Sequence, residues 1–435
     1  MSDVNPIVTF NAIDAAFNKG LRGHEAVMTA AQNEAEAATG DPVEAAMLMA
    51  SLGEAMKSIE ANERTPGVLV SPDNRMASLL QSFIAANANE FETLPTGGQE
   101  AKFDERDILG WFFSLFKWVK GIRKHEWQDA PAEPETFGQS ARMALLGDWG
   151  TGLYGAPACA ESIKSDPRGY DLLFHLGDVY YAGDAKEIQD RFLSFWPRNE
   201  TTLRNAVSRA CNSNHEMYTG ANAYFDSTLS AFGQSASYFA MQNEHWLLVG
   251  LDSAYNTPDL MHNKADLNDQ QVAWLDNVIA QAGARKVVLF THHQPFSHFD
   301  GQNQMLTARL GAHLAARKIF AWYWGHEHRS ILFDQHPSWG LYGRCAGHSG
   351  FPYFRDKLQD APVVERKPLD TSWHRFDAKN MVPGAIILDG PNSYLTGEES
   401  KYGVQGYMSL EFDGPHLNEV VHAPDRTVLY ERPLV

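Results

Sequence analysis

The sequence predicts an α/β layered domain preceded by an all-α N-terminal region, and three observations predict it. After residue 140, short apolar runs recur at 143–146, 171–176, 246–251, 287–290 and 319–324, each ending in polar residues. Helical patterns lie between several of them; one follows an Asn268 cap with Gln271 three residues on and sets Val272, Leu275 and Ile279 on one face. Strands alternating with helices fold as stacked layers. Residues 1–127, by contrast, carry helical periodicity.

In that first region Asp41-Pro42-Val43-Glu44 reads as a helix start, with Asp as cap, Pro at the first helical position and Glu three residues after the cap. Leu48, Leu52, Ala55 and Ile59 follow at helical spacing. Ser71-Pro72 opens a second segment with Met76, Leu80 and Ile84. Asp107 precedes a third, whose apolar face (Ile108, Trp111, Phe112, Leu115, Val119, Ile122) is strongly aromatic and is expected to pack on the neighbouring domain, a partner helix or membrane surface being the alternative. Residues 128–138, rich in proline and acid, read as a linker, and the layered domain spans 139–435. Near its end Met408, Leu410 and Phe412 alternate with Tyr407, Ser409 and Glu411, the pattern of a half-buried antiparallel strand.

Composition narrows the function. The chain has 435 residues, enough for two or three domains. Its 36 basic and 54 acidic residues leave a net charge of -18, a surface that repels nucleic acid and anionic membranes. Three scattered cysteines, Cys159, Cys211 and Cys345, build neither a disulfide framework nor a thiolate cluster, and fit a reducing compartment. No run approaches the roughly 18 apolar residues of a membrane span. Residues 1–20 lack a basic segment followed by an apolar core, so a cytoplasmic location is expected.

The chemistry stands at the ends of the apolar runs. The runs at 143–146 and 171–176, a further one at Val207–Cys211, and those at 287–290 and 319–324 are followed in turn by Gly147-Asp148-Trp149-Gly150, Gly177-Asp178-Val179-Tyr180-Tyr181, Asn212-Ser213-Asn214-His215-Glu216, Thr291-His292-His293-Gln294-Pro295 and Gly325-His326-Glu327-His328. Strand C-termini are where α/β sheets build sites. Oxygen and nitrogen donors without thiolate suit iron, manganese or zinc. The donors exceed one tetrahedral shell, and a carboxylate can bridge, so two metals fit better than one. In extended geometry His326 and His328 would point the same way, toward one cluster. Two metals about 3.5–4 Å apart would activate a hydroxide for in-line attack on phosphorus.

This ordered set resembles the calcineurin-like metallophosphoesterases, whose pattern is GDxH/G, GDxx, GNH(D/E), a strand-end His, and GHxH. The resemblance covers about residues 141–435 and not 1–138. Gly150 stands where many members have a histidine ligand, while Tyr181, three residues after Asp178, matches the GDxxY pattern of purple acid phosphatases. The resemblance implies a four-layer sandwich of two mixed β-sheets flanked by helices, with residues 143–293 building the first sheet and strands after His328 adding to the second. It implies that Asp148, Asp178, Tyr181 and His328 hold one metal, with Tyr180 turned the other way. Asp178, Asn214, His292 and His326 hold the other, Asp178 bridging. The tyrosinate favours iron at the first site, paired with Fe, Zn or Mn. Ser213 replaces the glycine of the pattern, so that loop is expected to differ slightly.

Direct succession to the strand selects His292 as the ligand, whereas a His-x-Pro pattern selects His293; the reading takes His292, with His293 near the substrate. His215 is expected to stabilise the phosphoryl oxygens or protonate the leaving group. Glu216 would orient it or be structural. The expected function is a dinuclear phosphoesterase acting on a small phosphoester by attack of a metal-bridging hydroxide. A phosphodiesterase on a nucleotide or phospholipid head group is the alternative among enzymes. A binding or scaffold protein that keeps the fold, with a partner on the helical region, is the alternative of another class.

Overall fold

The computed structural model describes residues 121–435 except 132, 153–154, 258–263, 359–360, 396 and 398; before them it describes only Ala50, Arg75, Ser78, Leu79, Ser82, Glu90–Thr93 and Gln99–Lys102. Ala50, Arg75, Ser78, Leu79 and Ser82 are helical, the last four inside the segment expected to open at Ser71-Pro72. The helix starts expected at Asp41 and Asp107 lie outside the described residues. The N-terminal region is not helical throughout: β1 (Glu90–Thr93) and β2 (Gln99–Lys102) pair antiparallel.

The layered domain follows. Its strands are β3 (Glu135–Thr136), β4 (Ser140–Leu146), β5 (Leu172–His175), β6 (Val207–Ala210), β7 (Phe239–Gln242) and β8 (Trp246–Gly250). They continue as β9 (Lys286–Thr291), β10 (Ile319–Trp324), β11 (Ser330–Gln335), β12 (Tyr342–Ala346), β13 (Val363–Arg366) and β14 (Ser372–Phe376). β15 (Ala385–Asp389), β16 (Tyr407–Asp413), β17 (His416–His422) and β18 (Val428–Pro433) complete them. One sheet has six strands in the order β18-β17-β16-β4-β5-β6, and the other ten in the order β13-β14-β15-β11-β12-β10-β9-β8-β7-β3.

Side-chain alternation separates three apolar layers, and these define the four-layer sandwich. Met143 and Leu145 of β4 meet Leu248 of β8, Val288 and Phe290 of β9 and Ala321 of β10 between the sheets. Ala144 and Leu146 point the opposite way, onto Ala156, Cys159, Ala160 and Ile163 of α1 (Gly155–Lys164). On the far side, Leu247, Val249, Val287 and Leu289 pack on Leu275, Val278 and Ile279 of a second helix, Asp269–Ala280, capped by Asn268 as the sequence indicates. Each strand buried on both faces removes two side-chain rows from water, so both helix layers are needed.

Three placements differ from the sequence reading. Residues 143–293 divide between the sheets, β4–β6 in one and β7–β9 in the other, and the C-terminal β16–β18 return to the first. Period-two patterning fixes a strand's faces but not its neighbour, which is set by long-range pairing of β16 with β4. β16 is buried on both faces rather than half-buried, because Tyr407 and Ser409 hydrogen-bond Ser162 and Tyr170 on the α1 side at 3.3 and 3.2 Å. Glu135 and Thr136, within the expected linker, pair with β7 as a short edge strand. Among the described residues no helix is long and apolar enough to cross a membrane.

Candidate metal centre

β4, β5 and β6 are parallel neighbours in one sheet, and β9 and β10 in the other. Their C-terminal ends deliver the motif residues to one edge of the sandwich. The turns there are tight: Asp148, Asp178, His326 and His328 have φ of 55°, 72°, 68° and 54°. Left-handed backbone at a non-glycine residue is costly and concentrates where a site needs it. His326 and His328 therefore converge through a left-handed turn, not through the extended alternation expected for them.

The deepest cluster surrounds His292, which is fully buried. Its Nδ1 lies 2.8 Å from the Leu176 carbonyl, an acceptor only, so Nδ1 carries the proton and Nε2 presents a lone pair. Around Nε2 stand Asn214 Oδ1 at 2.8 Å, His326 Nδ1 at 3.1 Å and Asp178 Oδ1 at 3.3 Å. The Asn214 amide is oriented by its Nδ2, which donates to Tyr218 Oη at 3.2 Å. Burial pushes the His292 imidazole down to about 3, so it is neutral. Lone pairs of His292, Asn214 and Asp178 thus converge among buried residues, an arrangement that a cation turns from repulsive to attractive.

Beside it lies the first carboxylate. Asp148 Oδ1 accepts from the His326 main-chain N–H at 2.8 Å, while its Oδ2 is buried without a hydrogen-bond partner. Burial, and then the charge of Asp178, push Asp148 well above the ordinary carboxylate range. Burial acts the same way on Asp178, but His292, His215 and His328 outweigh it and hold Asp178 low. His328 Nε2 stands 3.6 Å from Asp178 Oδ2 and 4.0 Å from Asp148 Oδ1. Asp148, Asp178 and His292 offer ligand atoms within 4.8 Å of one another, and so do His292, His293 and His326. An unpartnered buried carboxylate oxygen and converging N/O donors fit a metal centre. The backbone crowds Asp148 from two sides: a Cβ on Gly347 would overlap Oδ2, and one on Gly325 would lie 3.2 Å from it.

The phenol at this cluster is that of Tyr180, which the sequence reading turned away. Its Oη is 3.0 Å from His328 Nε2 and 3.3 Å from Asp178 Oδ2. Its ring stacks on Phe351 at 4.6 Å, and Phe351 in turn packs on Gly150, where a Cβ would meet Phe351 Cα at 3.3 Å. Tyr181 instead contributes its main-chain carbonyl, which accepts from His215 Nδ1 at 2.7 Å. That bond fixes the proton on Nδ1 and leaves Nε2 as the nitrogen that changes protonation; the ring lies 3.8 Å from that of Tyr180.

Glu216, read as orienting His215 or as structural, braces the neighbouring loop: it accepts from the N–H groups of Asp178 and Val179, both at 3.3 Å, and from Ser213 Oγ. Burial, together with Asp178, pushes it up to about 8. Ser213 sits in extended backbone, φ -132°, and caps the short helix Asn214–Met217 through the His215 N–H, so the missing glycine costs nothing. His293, also fully buried, has Nδ1 2.9 Å from Ser253 Oγ. Tyr180, Ser253, Phe351 and Gly347 were missed by motif reading; the Gly347–Gly350 glycine pair beside a chemistry-rich edge was the available signal for the last.

Residues 141–330 match the family model of the calcineurin-like phosphoesterases, the superfamily that the strand-end motifs resemble. Similar structures include purple acid phosphatase PPD1 from yellow lupin (Lupinus luteus) seeds, at 13% identity over 79% of this chain and 58% of that one, TM-score 0.47. A PhoD structure is 12% identical over 70% of each chain, TM-score 0.42. A dimetal phosphatase from Danio rerio is 12% identical over 68% of this chain and 98% of that one, TM-score 0.42. The chain thus spans less than two thirds of the lupin protein's length. Comparison with curated proteins gives no match.

Proposed function

We propose that the protein is a dinuclear metal-dependent phosphoester hydrolase. The observation that carries this is the gathering of Asn214 Oδ1, His326 Nδ1 and Asp178 Oδ1 within 3.3 Å of the buried His292 Nε2 lone pair. Asp178, Asn214, His292 and His326 would hold one cation. Asp148, Asp178 and His328 would hold the other, with Tyr180 in the place first given to Tyr181. A phenol ligand favours ferric iron there, paired with Fe, Zn or Mn. Bound cations would polarise the phosphoryl oxygens and make water acidic enough to attack phosphorus. His215, with Nδ1 tied to the Tyr181 carbonyl, would donate from Nε2 to the leaving oxygen as the ester bond breaks. Ser253 can donate to His293 Nδ1, which puts the His293 proton on Nε2 and aims a donor at a phosphoryl oxygen. The three buried free cysteines support a reducing compartment.

Metal analysis of purified protein, followed by assay of p-nitrophenyl phosphate and bis(p-nitrophenyl) phosphate, tests the reading. About two metal ions per chain and turnover of at least one ester are expected. Metal-replete protein inert toward a broad set of mono- and diesters would leave the scaffold alternative.

A further inference from the structure

The N-terminal region touches the metal centre's supports. Arg75, Ser78, Leu79 and Ser82 are helical, and their spacing (i, i+3, i+4, i+7) sets them on one helix face. That face is docked: Ser78 and Leu79 are fully buried and Ser82 nearly so. Leu79 packs with Ala182, Tyr218 and Ile122. Arg75 Nη2 donates to the Tyr218 carbonyl at 3.1 Å, and Ser82 Oγ donates to Asp184 Oδ2 at 3.0 Å.

The two things gripped are the two loops that carry the bridging carboxylate and the amide ligand. Ala182 and Asp184 close the loop that begins at Asp178. Asp184 caps the turn at Ala185–Glu187, and Glu187 reaches back to accept from the N–H groups of Ala182 and Asp184 at 3.0 and 3.1 Å, so this loop is cross-braced from within. Tyr218 caps the helix Asn214–Met217 and receives the Asn214 amide N–H, which points Asn214 Oδ1 at His292. Thr219 Oγ1 joins the loops by donating to the Ala182 carbonyl at 2.9 Å.

We propose that this N-terminal helix is a positioning clamp for the metal centre. By holding the 178–184 loop against Tyr218, it sets the separation of Asp178 and Asn214 and so the affinity for the cation they share. Leu79, Arg75 and Ser82 are positioning residues; none touches the reacting atoms. Anything that lifts the helix lowers occupancy of the Asn214 site first, which makes the N-terminal region a built-in control on activity. This rests on the metallohydrolase reading and deepens it.

The test uses the full chain with Mn2+ as probe, free Mn2+ being followed by electron paramagnetic resonance and p-nitrophenyl phosphate turnover being measured in parallel. Supporting groups behind metal ligands cost about 10–100-fold in affinity when removed. Leu79→Ala is expected to weaken one of two Mn2+ ions about tenfold and leave the other unchanged. Its kcat should fall at limiting Mn2+ and recover in excess, with KM for the ester unchanged. Leu79→Met should behave as wild type. Ser82→Ala, which removes one hydrogen bond and spares the apolar contact, should shift the same ion about threefold and covers the case in which Leu79→Ala does not fold. If both alanine variants bind both ions as wild type does, even with a lowered melting temperature, the helix is packing alone and the clamp is wrong. Wild-type protein that binds no Mn2+ and hydrolyses no ester would instead sink the metallohydrolase reading, and the clamp with it.

Discussion

Tyr180→Phe removes one hydroxyl and leaves the ring that stacks on Phe351 and lies tilted against His215. The hydroxyl lies 3.0 Å from His328 Nε2 and 3.3 Å from Asp178 Oδ2. A hydrogen bond to an ionised group is worth about 1.5–3 kcal/mol, and each 1.4 kcal/mol is about tenfold. The expected loss in kcat/KM is therefore about 10–100-fold, with little change in melting temperature because apolar packing is conserved. Tyr181→Phe should stay within about threefold of wild type, since its contact with His215 is made by a main-chain carbonyl that the substitution keeps. Both variants are assayed with p-nitrophenyl phosphate at saturating metal, then loaded with iron and scanned in the visible for a tyrosinate charge-transfer band. Loss of band and activity in Tyr181→Phe, with both retained in Tyr180→Phe, would refute the geometric assignment and return the ligand to the GDxxY position.

Four further outcomes are expected. Asp178→Ala should abolish phosphoesterase activity and weaken both metals, because its two oxygens face the two clusters; a metal-replete active variant would count against the bridge. Chelation should lower the melting temperature by about 5–11 °C, since a ligand at 100 times its Kd stabilises by about 2.7 kcal/mol and a large domain shifts about 2–4 °C per kcal/mol; differential scanning calorimetry reads it. Gly347→Ala pushes a methyl onto Asp148 Oδ2 and should cost about 10²-fold in kcat, measured beside its metal content. His175 is buried among Trp149, Phe192 and Trp196, and burial drives it down to about 3. The unfolded chain takes up its proton near pH 6.5 while the folded chain does not, so stability present above that pH is lost as pH falls toward 3. Urea denaturation of His175→Phe should show a slope between pH 6 and 4 shallower by up to about 1.36 kcal/mol per pH unit.

Much of this site is legible in the sequence because donor type and order survive any local rearrangement. Asp148, Asp178, Asn214, His292, His326 and His328 follow strands that an apolar run announces, and the structure gathers them at one edge. The layered class was legible because apolar runs alternate with helical patterns; which residues of the all-apolar run 143–146 face the other sheet and which face α1 is shown by the structure. Which sheet a strand joins was not, since β16 meets β4 across more than half the chain and nothing local encodes that partner. The helix segment at Ser71-Pro72 could be read, but not its seat on Tyr218, because a Leu–Tyr contact between distant segments leaves no periodic trace.

The tyrosine pair shows where counting along a motif stops working. Position n+3 names a residue by distance from Asp178 and assumes an unbroken phase between them. The structure breaks that phase at its first residue: Asp178 is left-handed, with φ 72°, directly after Gly177 at φ 96°. Each left-handed residue redirects the side chains that follow it, so the residue facing the cluster can change by one without any change in the letters. His326 and His328 obey the same rule in the opposite sense. Two left-handed residues bring together side chains that extended geometry would also have brought together, and the expectation reaches the right pair by the wrong backbone. Donor identity is therefore carried by sequence, while donor direction is carried by a few torsions whose strain is repaid only by what the site holds.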